Sequence, residues 1–373
     1  MSFLLDRRKF LLGAAGAGLA AGGLISFPFG LAQAAETKPI TDRKLKIALS
    51  NSFIGNKWRL TMENLFKSAL QMEPYKSEVE GSWFNSGNDV SKQSQQIANL
   101  ISQGVDAILV DAASPTGLNG ILHQASQRGI LVVSFDNTVT EPTGLKIGMD
   151  EFNFGVLWAE FVAKKINGKG NVIMVTGVAG TYDDDERNKG GDSVWAKYPD
   201  IKVVARYTGM WDSAVTQTNT AAILPTLPKI DGIWSGSGTD GVLKAFVEAG
   251  RPLPPTAGTG ENGFRKFMTK DGYMGQKVDG LSFDDAPFES VIALELARAV
   301  LRGTYPRGNV VLPAPAVTND TIEVGVNVFP DQPDSLNCLF TDSGKNALVQ
   351  FCIDAALNGT PCEGKLEVRL PKA

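Results

Sequence analysis

The sequence predicts an α/β chain made of two doubly wound, Rossmann-like lobes of parallel sheet. Two observations carry this reading. Short apolar runs alternate with amphipathic stretches from Lys44 to about Gly303, the rhythm of parallel strands covered on both faces by helices. The elements so marked number more than one open sheet holds comfortably, and 373 residues suit two compact domains.

Leu45-Lys46-Ile47-Ala48-Leu49 reads as the first strand. Met62, Leu65, Phe66, Ala69 and Leu70 then recur at the spacing of one helix face. Asp106–Val110 and Ile130–Phe135 are buried-type strands, preceded by Gly104 and Gly129, residues suited to ending a helix. The rhythm resumes at Asn171–Val175, at 202–208 and at Gly232–Ser235. A last helix near 288–302 places Ala293, Leu296, Ala297, Val300 and Leu301 on one face.

The N-terminus carries Asp6-Arg7-Arg8-Lys9-Phe10-Leu11-Leu12, then a Gly/Ala-rich apolar stretch, then Ala32-Gln33-Ala34. A basic region, an apolar region and a small-residue cleavage site in that order form a twin-arginine type signal peptide over 1–34. Pro28 and the Gly/Ala content argue against an uncleaved anchor. The expected location is therefore periplasmic. Export makes a disulfide admissible, and Cys338, Cys352 and Cys362 allow three pairings that spacing does not separate.

Composition excludes several functions. A net charge of −4 with no basic block disfavours nucleic-acid binding. His123 is the only histidine and falls on a surface helix, which leaves neither a zinc site nor a Ser-His pair. There is no G-x-S-x-G elbow, no dinucleotide fingerprint and no Walker lysine beside Gly177-Val178-Ala179-Gly180-Thr181. The chain reads as no enzyme, with no cofactor and no metal.

In open α/β sheets, ligands bind beyond the carboxyl ends of the strands. Those positions carry Asn56-Lys57-Trp58-Arg59, Asp136-Asn137, Glu186-Arg187, Trp211-Asp212, Glu261-Asn262 and Asp284-Asp285. Carboxylates, amides and guanidinium groups hydrogen-bond hydroxyls, at roughly 1.5–3 kcal/mol net for a charged partner. Indole faces pack on C–H surfaces. Such a set suits a small polyhydroxylated ligand. Each residue has a plainer reading too: Trp58 and Trp211 as core, Asp136 as a turn cap, and Arg187 as a surface partner of Asp183, Asp184 or Asp185.

These strand-end residues are where the chain resembles the type I periplasmic binding proteins of the ribose/galactose class, from about Lys44 to Val326. The resemblance implies the periplasmic-binding-protein-like I fold and a ligand set of Asn56, Trp58, Arg59, Asp136, Asn137, Arg187, Trp211, Asp240, Glu261 and Asp285. It also implies a monomer that captures a monosaccharide between its lobes and hands it to the membrane permease of an ABC importer. A sensor that presents its ligand to a membrane receptor, or a binder of another polar solute, remains the alternative. The chain departs from the family pattern at Asp136-Asn137, at Ser237-Gly238-Thr239-Asp240 and at Gly260-Glu261-Asn262. Missing too is the N-terminal helix-turn-helix of repressors that share the two-lobe fold.

The expected organisation is an N-terminal lobe of 43–148 plus 286–314 and a C-terminal lobe of 149–285 plus 315–328. The resemblance implies that the lobes are joined by a three-crossing hinge, with crossings near Met149, Asp285 and Ala314. A C-terminal extension, 329–373, is expected to pack on the C-terminal lobe.

Overall fold

The computed structural model describes residues 39–313, 316–341 and 347–371. The signal-peptide reading and the crossing residue Ala314 lie outside the described residues.

Two six-stranded sheets form the molecule. The first runs β11-β5-β4-β3-β1-β2. It comprises β1 (Leu45–Asn51), β2 (Val79–Asn85), β3 (Ala107–Asp111), β4 (Leu131–Phe135), β5 (Leu145–Gly148) and β11 (Val310–Val311), all parallel. The second runs β12-β10-β9-β8-β6-β7. It comprises β6 (Gly170–Thr176), β7 (Ile201–Thr208), β8 (Gly232–Ser235), β9 (Thr256–Gly258), β10 (Gly280–Ser282) and β12 (Val317–Thr318). Only β12 is antiparallel to its neighbour.

The strands alternate because both sheet faces are covered. In β1, Ile47 and Leu49 enter the large core cluster, while Ala48 points to a second cluster with Ile108, Val110 and Leu122. In β6, Val172 and Met174 face the large cluster, and Ile173 and Val175 face a third with Phe246, Phe264 and Phe267. The large cluster takes side chains from both sheets and from the tail, including Leu339, Phe351 and Leu366.

The chain passes from β5 to the helix Glu151–Lys165 of the second lobe, back from β10 to the helix Glu289–Leu301 of the first, and from β11 to β12. The tail differs from expectation. Residues 329–340 lie on the second lobe, where Cys338 N donates to Gly260 O at 2.9 Å. Beyond them the helix Ile353–Asn358 packs on the first-lobe helix Lys57–Leu70. Asn64 Nδ2 donates to Ala356 O and Leu357 O at 3.1 and 2.9 Å, and Leu366 N donates to Glu73 O at 3.0 Å. The physical reason is that Leu348, Phe351, Ala355, Ala356 and Leu366 find their apolar cover in the large core cluster shared with the first lobe. The tail therefore straddles both lobes.

Cys352 and Cys362 are joined, closing a short loop in the tail. Cys338 is a buried free thiol, pushed up to about 12 by burial. Only the thiolate reacts readily. The native chain should therefore show no thiol toward an aromatic disulfide reagent, and one thiol per chain in denaturant without reductant.

Candidate functional site

Loops from both sheets converge on a cavity of about 260 Å³. It lies below the roughly 300–1,000 Å³ of drug-sized pockets, so it suits one small molecule. Of the ten residues singled out in the sequence, Asn56, Trp58, Arg59, Asp136, Asn137, Arg187, Trp211, Glu261 and Asp285 line it.

On the first lobe, Asn56 caps the helix Lys57–Leu70, its Oδ1 accepting from Arg59 N at 2.8 Å. The cap fixes the first turn, and with it Trp58 and Arg59. Arg59 is buried and paired with Asp111 and, at 2.8 Å, with Asp136. Asn137 Nδ2 donates to Asp136 Oδ2 at 2.7 Å. Asp136 itself sits at φ 51°, a left-handed conformation that aspartate tolerates better than most residues. Trp58 is half-buried, and its Nε1 donates to the backbone carbonyl of Asp285 at 2.8 Å.

On the second lobe, Arg187 belongs to the helix Tyr182–Trp195 and is buried. It is not a surface partner of Asp183, Asp184 or Asp185. Its Nε donates to Glu151 at 2.7 Å, Nη1 to Asp284 at 3.3 Å, and Nη2 to Asp285. Met210 and Trp211 both hold positive φ, 55° and 56°, costly for such side chains and found where a loop is held in a set shape. Trp211 N donates to Ser237 Oγ at 2.7 Å. The indole lies on Gly177: a Cβ there would stand 2.0 Å from Trp211 Nε1.

Asp240 is the correction. It is fully buried behind the cavity wall, second in the helix Thr239–Glu248. Its carboxylate takes Ser213 Oγ at 2.5 Å and Lys244 Nζ, one helical turn on, at 2.7 Å. These bonds turn it away from the ligand space.

Sequence reasoning missed Asp183, Ser335 and Asn337, which also line the cavity, as does Asp284, named at its strand end but left out of the ligand set. Asp183 had a signal: it precedes Arg187 by four residues and so shares its helix face. Ser335 and Asn337 had none, because they reach the site from the tail.

The site is crowded with acids. One carboxylate oxygen each of Asp136, Asp183 and Asp285 lies within 4.8 Å of the others. Asp183 Oδ1 and Asp285 Oδ1 are buried without a partner. Burial, reinforced by neighbouring carboxylates, pushes Asp183, Glu151 and Glu289 well above the usual carboxylate range. Burial with Asp240 and Asp284 nearby pushes Glu261 up to about 8. Asp284 rises to about 7, from burial and despite Arg187. The wall therefore mixes carboxylates, which only accept hydrogen bonds, with carboxylic acids, which also donate.

Two lobes that share one small cavity, lined by carboxylates, guanidinium groups and indoles, define a ligand-capture protein. The chain belongs to the periplasmic binding protein domain family, whose model matches residues 47–304. It is 31% identical over 257 residues to the xylitol-binding protein of Mycolicibacterium smegmatis, covering 67% of this chain and 72% of that one. It is 26% identical over 268 residues to the D-ribose/D-allose-binding protein of Pseudomonas aeruginosa, covering 69% and 83%. An ABC transporter solute-binding protein from Thermobispora bispora superposes with TM-score 0.66 at 32% identity, covering 73% and 84%. The family and these relatives bind solutes and are not enzymes. Among the described residues no helix is long and apolar enough to cross a membrane.

Two outcomes follow. Glu261 and Asp284 hold protons in the folded chain at pH values where the unfolded chain, at 4.5 and 3.8, has released them. Their contribution to stability is complete below those ordinary values and is lost as pH rises through 7 and 8. Denaturation at a series of pH values should show stability falling from pH 5 to 8.5, and Glu261→Gln should make the fall shallower. Gly177→Ala should displace Trp211, weakening ligand binding at least tenfold and changing tryptophan fluorescence, with the fold retained by circular dichroism.

Proposed function

We propose that this chain is the periplasmic capture protein of an ABC-type importer, and that its ligand is a neutral monosaccharide or sugar alcohol. One observation carries the reading: Trp58, Arg59 and Asp136 from one lobe face Arg187, Asp183 and Trp211 from the other across a cavity sized for one small molecule. Hydroxyls fill the remaining valences of the carboxylates and guanidinium groups, and the two indoles cover the C–H faces. The relatives named for xylitol and for ribose and allose support this ligand class.

In the proposed cycle the lobes hinge apart to admit ligand and close on it. Closure requires that ligand bind the closed form better than the open one. The ligand provides that difference by bridging Asp136 and Asp183, which otherwise face each other across the cleft. The closed monomer docks on the membrane permease. The Arg7-Arg8 leader is proposed to direct export by the twin-arginine route, with cleavage after Ala34.

A thermal-shift screen of the mature chain against pentoses, hexoses, pentitols and inositols tests the reading. Ligand at 100 times its Kd adds about 2.7 kcal/mol of stability, a clear rise in Tm. Asp136→Ala should abolish that rise. A rise with amino acids or nucleosides alone would overturn the sugar assignment.

A further inference from the structure

We infer that the C-terminal extension completes the ligand site: Ser335 and Asn337 are ligand-contacting residues that set specificity at the cavity end beside Glu261. This rests on the capture function proposed above and deepens it.

The segment is built into the wall. Residues 335 and 337 both line the cavity, together with Glu261. Ser335 sits in the turn 333–336, closed by Leu336 N donating to Pro333 O at 3.2 Å, and Asn337 follows directly after that turn. Asn337 forms an isolated antiparallel bridge with Glu261, so the two sit side by side.

Several bonds hold the segment there. Asn262 N donates to Leu336 O at 2.8 Å, and Gly263 N to Asp334 O at 2.9 Å. Asn262 Oδ1 accepts from Phe329 N at 2.8 Å, and its Nδ2 donates to Phe329 O at 2.7 Å. Lys244 and Lys266 both pair with Asp334, at 2.9 and 2.8 Å. Asp240 therefore acts behind the wall: it holds Lys244, which holds the segment. The departure at Gly260-Glu261-Asn262 falls on the residues that grip the extension.

The chemistry left over faces the ligand space. Asn337 is buried, and its Oδ1 is used by Leu339 N at 2.9 Å. Its Nδ2 has no protein partner among the described residues, nor has Ser335 Oγ. An amide donor, a hydroxyl and the carboxyl of Glu261 together suit one or two ligand hydroxyls distant from Arg59 and Asp136.

The test compares parent, Ser335→Ala, Asn337→Asp and Asp136→Asn in the full mature chain. Asn337→Asp keeps the oxygen that Leu339 N requires and exchanges the amide donor for a second carboxyl beside Glu261, while Ser335→Ala removes a hydroxyl without adding charge. Binding of xylitol, D-ribose and D-allose is measured by titration calorimetry, with Tm as the folding control. The expected result is Kd raised at least tenfold in Asn337→Asp and Ser335→Ala, a changed rank order among the three ligands, and Tm of the unliganded chain within a few degrees of the parent. Kd within twofold of the parent in both variants, with binding lost in Asp136→Asn, overturns the role of the extension and leaves the capture function standing. A parent that binds none of the three overturns this inference together with the ligand class it rests on.

Discussion

The buried ion cluster around Arg187 is the constraint on which the cleft depends. A guanidinium taken out of water costs several kcal/mol unless it is fully paired. Here the partners come from the two passages that join the lobes: Glu151 just after the first, Asp284 and Asp285 on the second. The pairing needs the helices Glu151–Lys165 and Tyr182–Trp195 to touch backbone to backbone. Two glycines allow this. A Cβ on Gly155 would stand 1.9 Å from Arg187 O, and one on Gly190 1.9 Å from Phe152 O. Phe154 and Trp158 then lie under the guanidinium, 5.3 and 5.5 Å from ring centre to Cζ. With Asp285 fixed in this way, its backbone carbonyl receives Trp58 from the opposite lobe. The cluster thus fixes both the hinge and the aromatic wall.

Arg59 repeats the device on the first lobe. It is buried against Asp111 at the end of β3 and Asp136 just after β4. In both lobes an arginine at a helix start or first turns orients acids at strand ends. The exposed part of each acid is then held in place by the part already paired, so little side-chain freedom is lost when a ligand arrives.

Much of this was legible in the sequence, for identifiable reasons. Central strands such as β1 and β3 are covered on both faces, so they stand out as unbroken apolar runs. The segments after strands that bear Asp136, Trp211 and, one helix turn further on, Arg187 stand out because polar and aromatic residues interrupt that rhythm. The three-residue strands β9 and β10 carry too little pattern to read, and β2, at a sheet edge, mixes Glu80, Ser82 and Trp83 with its apolar residues. Asp240 misled because its place after a strand is right while its side chain is captured by Ser213 and Lys244. The tail was misplaced because its partners, among them Asn64 and Glu73, lie about three hundred residues away in sequence. No local pattern encodes so distant a contact.

The excess of acids argues for the kind of ligand the cleft favours. Asp136 comes from one lobe, Asp183 from the other, and Asp285 from the passage between them. Three carboxyl groups within 4.8 Å in a buried cleft would repel one another if all were ionised. Two things relieve this: protons taken up by the acids, or hydrogen-bond donors supplied from outside. An anionic ligand adds to the repulsion. On the proposed reading a neutral polyol brings several O–H donors at fixed spacing and no charge, and sets its C–H faces against Trp58 and Trp211. Discrimination then arises from the cost of leaving a buried carboxylate oxygen unpaired, about 1–3 kcal/mol or more for each hydroxyl that is absent or misplaced. The acids that make the empty cleft costly to close are, on the proposed reading, the groups that make it selective.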